Sequence, residues 1–153
     1  MERRDINITI EEFNASMGRL MTMLGEKIRS DAEAAKLERV RRHFNLAKGT
    51  MKEAIISQIT PIIIGYDDII LCEDSDKKEQ FLKSVDIDKE ISRLGLKGFE
   101  ADAVRSLFEP IKNHFFRATA KEKEKVYEEL TLILRNCLEW QLYIEERKRR
   151  QNK

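Results

Sequence analysis

The apolar positions of this chain fall mostly at helical spacing, and the longest such run lies near its C-terminal end. Val126, Leu130, Ile133, Cys137, Trp140 and Ile144 recur at alternating steps of four and three, the a/d seam of helices packed side by side. Leu134, Leu138 and Leu142 form a second apolar row beside it. Two rows make a stripe too wide for a two-stranded coiled coil, so the pattern predicts helical neighbours on more than one side. Thr119-Ala120-Lys121-Glu122 opens the run as a capping box, in which hydroxyl and carboxylate satisfy two amides that the first turn leaves free. Arg147-Lys148-Arg149-Arg150 closes it with positive charge where the helix dipole favours it. A helix over 119–149 is the expectation, with its seam residues Val126, Leu130, Ile133, Trp140 and Ile144 as candidate core or partner contacts.

The same reading segments the rest of the chain. Thr9-Ile10-Glu11-Glu12 is a second box, followed by Ile10, Phe13, Met17, Leu20, Leu24 and Ile28 at helical steps. Met17, Met21 and Met23 are expected to fill core gaps rather than to form a plastic binding surface. Gly18 and Gly25 share a face seven residues apart, where a neighbouring helix could come close. Ser30-Asp31-Ala32-Glu33 is a third box, either starting a second helix or lying within one long one, and Leu37, Val40, Phe44 and Ala47 mark the next apolar face. Gly49 suits a helix end, and Thr50-Met51-Lys52-Glu53 restarts a helix as a fourth box. Residues 54–71 are rich in isoleucine; Thr60-Pro61 reads as N-cap and first helical position, giving two helical pieces kinked near Pro61. The rival is a short β-pair between 62–64 and 69–71. Phe81, Leu82 and Val85 mark a short helix capped by Asp74 or Ser75, and Asp86 caps another that Gly95 stops. Val104, Leu107, Phe108, Ile111 and Phe115 form a helix that Pro110 should kink or divide.

The expected architecture is therefore all-α: a compact bundle of five to seven helices in one domain, with the long C-terminal helix in its core and a basic tail over 147–153. The 153 residues suffice for a buried core. Two Pro and six Gly leave little material for an all-β fold. Charged residues make up 37%, more than a typical globular chain and in keeping with solvated helix faces around a modest core. No apolar run approaches the ~20 residues of a membrane span, and no signal-peptide pattern follows Met1. The expected setting is intracellular.

Charge is unevenly laid out. It is about +2 over 1–66, −5 over 67–90 and +4 over 91–153, within a total of +1. Separated patches of opposite sign on a near-neutral chain suit contact with copies of itself or with an oppositely patched protein. Two basic clusters, Arg39, Arg41 and Arg42 with Lys36 and His43, and Arg147, Lys148, Arg149 and Arg150 with Lys153, are the alternative: they could contact nucleic-acid phosphates.

Motifs for chemistry are sparse. There is no P-loop, no GxGxxG and no HExxH, and His43 and His114 stand apart from Cys72 and Cys137. Asp67-Asp68 and Glu73-Asp74-x-Asp76 lack the glycine and the closing glutamate of an EF-hand loop. Cys137 on the apolar seam suits a buried, unreactive thiol better than a nucleophile paired with His114. No catalytic residue, metal site or cofactor is expected.

One likeness adds to this. The run 64–75 (Ile64-Gly65-Tyr66-Asp67-Asp68-Ile69-Ile70-Leu71-Cys72-Glu73-Asp74-Ser75), then Phe81-Leu82-Lys83 and Val85-Asp86-Ile87-Asp88, and the Trp-bearing Leu138-Glu139-Trp140-Gln141-Leu142-Tyr143, resembles small helical proteins of large nucleocytoplasmic DNA viruses. The resemblance covers the last two thirds of the chain and has Phe81-Leu82 where a double aromatic would stand. It carries over no catalytic residues and implies a virion-associated or host-interaction role.

Overall fold

The computed structural model describes residues 5–28, 31–114 and 119–151. Among these, every regular element is helical: α1 (Ile6–Lys27), α2 (Asp31–Leu46), α3 (Thr50–Ile64), α4 (Asp67–Ile70), α5 (Ser75–Ser84), α6 (Ile87–Leu94), α7 (Phe99–His114) and α8 (Ala120–Gln151). The all-α bundle and its long closing helix are as the periodicity predicts. The eight helices among the described residues exceed the expected five to seven because α4 is a single extra turn. Ser30, Phe115 and Lys153 lie outside the described residues, and the pairing of Cys137 with His114 falls on a side chain that is not described.

α8 is the axis of the bundle, and α1 and α3 are its main neighbours. Both run antiparallel to it. On α1, Thr9 bonds Glu139 and Arg19 bonds Glu129, so ten residues forward on one helix are ten back on the other. On α3, Ser57 Oγ accepts from the Trp140 indole N–H at 3.1 Å. α2 folds back on α1, where Phe13 and Phe44 pack with ring centroids 6.4 Å apart, and its other side meets α7. The principal core draws on α1, α2, α3 and α8. A smaller cluster of Ile62, Ile87, Ile91, Ala101 and Val104 joins the end of α3 to α6 and α7. Met17 and Met21 are buried in the main core and Met23 packs against it, which is the gap-filling use expected of them.

Local signals decide several ends. Thr119 Oγ accepts from the Glu122 amide, and the Glu122 carboxylate accepts from the Thr119 amide, so the capping box that opens α8 is formed. Asp74 and Asp86 cap α5 and α6 through bonds to the Lys77 and Lys89 amides. Gly95 ends α6 at φ 68°, a conformation open to glycine without penalty.

Other signals are overruled by packing. α1 starts at Ile6, capped by Asp5 through the Asn7 amide, and Thr9 lies inside it. The Thr9 hydroxyl is buried and donates to Glu139 on α8 instead of capping its own helix. Thr50 is already helical; Gly49 at φ 57° is the N-cap and no side chain completes that box. Thr60 does not start a second piece. It sits within α3 and donates to the Ile56 carbonyl. Pro61 removes one backbone donor, yet α3 continues through it, because Ile62 and Ile63 reach the two hydrophobic clusters from the final turn. The rival β-pair is absent: 62–64 closes α3 and 69–71 belongs to and follows α4. α7 likewise runs undivided through Pro110. Gly18 faces open space and Gly25 meets only the Leu37 side chain, at 3.7 Å, so neither permits a close helix crossing.

Candidate interaction site

The seam of α8 is spent inside the chain. Val126, Leu130, Ile133 and Trp140 are at most 8% exposed, and Ile144 packs against the same core. Of the two roles expected of the seam, the structure shows the core: the first four are packed inside the bundle and not open to a partner, and Ile144 stays half-buried at its edge. Cys137, on the same seam, has no exposed surface, and burial pushes its thiol up to about 11. Such a thiol stays protonated and inert near neutrality. Cys72 is half-buried, and both cysteines are free.

Polar bonds accompany the apolar contact between α1 and α8. Thr9 donates to Glu139 Oε2 at 2.7 Å; Arg19 donates to Glu129 Oε1 at 2.8 Å and to Ser16 Oγ at 3.0 Å. The paired Glu129 holds the Arg19 guanidinium even more firmly protonated than usual. Between these bonds along α8 stands Asn136, fully buried, with neither atom of its amide hydrogen-bonded. Polar pairs at fixed positions in a helix interface set register, because sliding by a turn strands every one of them.

The outer face of α8 is different. Leu138 and Leu142, one turn apart, are 38% and 53% exposed. The second apolar row is thus divided: Leu134 is buried, while α3 and α1 flank the helix on its other sides and leave Leu138 and Leu142 bare. Arg135 and Glu145 are exposed on either side of the two leucines, and neither forms an ion pair among the described residues. Among the described residues, the other exposed large apolar ones, Ile8, Leu46, Met51 and Leu71, belong to other elements or connections.

The basic clusters do not converge. Arg41 lines a groove with Arg19, Lys125, Glu128 and Glu129, where both signs of charge meet, and it lies 4.0 Å from Glu38. Arg147 begins 18 residues further along α8 than Glu129, roughly 27 Å at 1.5 Å per residue. Arg39 and Arg42 are exposed on α2, and Arg147, Lys148, Arg149 and Arg150 are exposed in the last turns of α8, which stays helical to Gln151.

The acidic middle of the chain is structural where its bonds are described. Glu79 pairs with Lys123 and so ties α5 to the start of α8, and that lysine holds its carboxyl below the usual range. Tyr66 donates to Glu90 at 2.6 Å and Arg93 grips the same carboxylate; the tyrosine's bond first, and then the arginine's, lowers its pKa. This latch stands over an apolar cavity of about 60 Å³ between the two hydrophobic clusters, lined by Ile62, Ile63, Ile70, Phe81, Phe108 and Leu130 among others. A volume of that size holds a few heavy atoms at most, and Tyr66, Lys78, Glu90 and Tyr127 are the polar side chains at its wall.

No family model, no curated protein and no solved structure matches this chain. Among the described residues, no helix is long and apolar enough to cross a membrane.

Proposed function

We propose that this chain is a non-enzymatic helical interaction protein that assembles with itself or with a protein partner. The observation that carries the reading is the outer face of α8. A bundle that covers the seam residues of its longest helix almost completely still leaves Leu138 and Leu142 uncovered midway along that helix. Exposed apolar side chains grouped on one rigid face are the usual mark of a protein contact. The bipolar charge layout supports the same reading, since it favours contact between unlike patches. The likeness to small helical proteins of large DNA viruses supports a virion-associated or host-interaction setting for that assembly.

The test is sedimentation velocity between about 1 and about 100 µM, the range in which contacts of modest size become populated. The wild-type chain is expected to associate, and Leu138→Gln with Leu142→Gln is expected to weaken association while leaving helicity unchanged. A species that stays monomeric throughout and retains no partner in a pulldown would count against the proposal.

A further inference from the structure

We infer that the partner is a second copy of this chain, docked antiparallel along α8 about a two-fold axis at the level of Trp140. The inference rests on the interaction reading above and names its occupant. On the outer face, Thr131, Arg135, Leu138, Leu142, Glu145 and Arg149 recur at steps of four, three, four, three and four. This is a second seam, displaced from the buried one by five residues and hence by about 140° around the helix, at roughly 100° per residue. Of its members, Arg135, Leu138, Leu142, Glu145 and Arg149 are exposed, and Thr131 is half-buried.

The order of residue types along this seam is self-complementary in one direction only. With two copies of α8 antiparallel, Leu138 meets Leu142 of the second copy and Arg135 meets its Glu145. The two-fold repeats both contacts, giving two apolar pairs flanked by two ion pairs. The outermost pair sets Arg149 against the Thr131 hydroxyl oxygen, an acceptor. Parallel docking would instead place Arg135 on Arg135 and Glu145 on Glu145. Like charges face to face exclude that arrangement, so the charges choose the direction while the leucines supply the contact. An isologous contact of this kind closes on itself and stops at a dimer.

Charge reversal tests both the surface and its direction. Arg135→Glu leaves two glutamates facing two glutamates across the two-fold, and Glu145→Arg leaves four arginines. Each single variant is expected to raise the dissociation constant, measured by sedimentation equilibrium, by about tenfold or more. The double variant R135E/E145R restores opposite charges and should return to within about threefold of wild type. Mixing the two single variants should produce a heterodimer, since each supplies the charge the other lacks. Unchanged circular dichroism in each variant shows that the fold is intact. A wild-type dimer indifferent to both single reversals would overturn this interface while leaving self-assembly standing through another face. A wild-type chain monomeric at about 100 µM would overturn the second copy as partner, and only a different protein would then satisfy the broader proposal.

Discussion

Replacing Asn136 with leucine should make the protein more stable. Asn136 has no exposed surface, and neither its amide nitrogen nor its oxygen is hydrogen-bonded. Holding a polar group of this kind away from water without a partner costs about 1–3 kcal/mol. Leucine removes that cost and gains roughly 0.5 kcal/mol of helix propensity at a mid-helix position. Its branched end is bulkier than the planar amide, and crowding against α1 can return about 1 kcal/mol of the gain. The net expectation is about 1.5 kcal/mol, or about 3–6 °C in Tm for a chain of this length. In urea the midpoint should rise by roughly 0.75 M, taking a slope near 2 kcal/mol per M. Asn136→Ala sheds the amide but leaves a void, so it should fall short of leucine. Asn136→Asp places a charge in the same site and should destabilise strongly. The assay is reversible urea and thermal unfolding of all four proteins, followed by circular dichroism. A leucine variant no more stable than wild type would refute the expectation, because the amide would then have to be engaged in the folded protein.

Four further outcomes are expected. Trp140→Phe keeps most of the buried ring but loses the indole bond to Ser57, costing about 1–2 kcal/mol in urea unfolding, and Ser57→Ala on that background should cost little more; independent, additive losses would show that the pair does not interact. Gly18→Ala and Gly95→Ala should move stability in opposite directions: nothing stands within 4 Å of an added Cβ at either site, but Gly18 is helical and Gly95 lies at φ +68°, so the first gains and the second loses about 1 kcal/mol, and a loss at Gly18 would reveal a hidden close contact. In the folded protein one thiol, Cys72, should react with a thiol reagent at pH 8, and Cys137 only on unfolding. Burial raises the Cys137 thiol from 9.0 to about 11 and the Tyr127 hydroxyl from 10.0 to about 12. The folded chain therefore keeps protons that the unfolded chain releases from about pH 9 upward, and stability must fall as pH rises through that window. Thermal midpoints that hold level to pH 11 would contradict both shifts.

The helices of this protein are legible in its sequence because their causes are local. The four-three spacing from Val126 to Ile144 specifies one long amphipathic helix whatever surrounds it, and Thr119 with Glu122, Asp74, Asp86 and Gly95 fix ends through bonds that span three residues or so. The helix boundaries misread in sequence share a cause as well. Thr9 and Thr60 carry the residue type of a cap, but each has an alternative partner, a carboxylate on another helix or a carbonyl one turn back, and burial makes that partner the only one within reach. Pro61 and Pro110 are breakers by local rule, yet α3 and α7 pass through them; at Pro61 the burial of Ile59, Ile62 and Ile63 on both sides outweighs one lost backbone bond.

The candidate site divides the same way. Periodicity shows that α8 has two apolar rows, and it cannot show which row the chain itself covers. That depends on where α1 and α3 dock, a matter of contacts between residues more than a hundred positions apart, such as Thr9 with Glu139 and Arg19 with Glu129. Docking buries the row through Ile133 and Trp140 and leaves Leu138 and Leu142 outside. Hydrogen bonds within a turn and a 3.6-residue period are properties of the chain alone, so the rods and most of their stops can be read from the linear order. Which faces are interior cannot, because burial depends on neighbours that come together only when the helices dock.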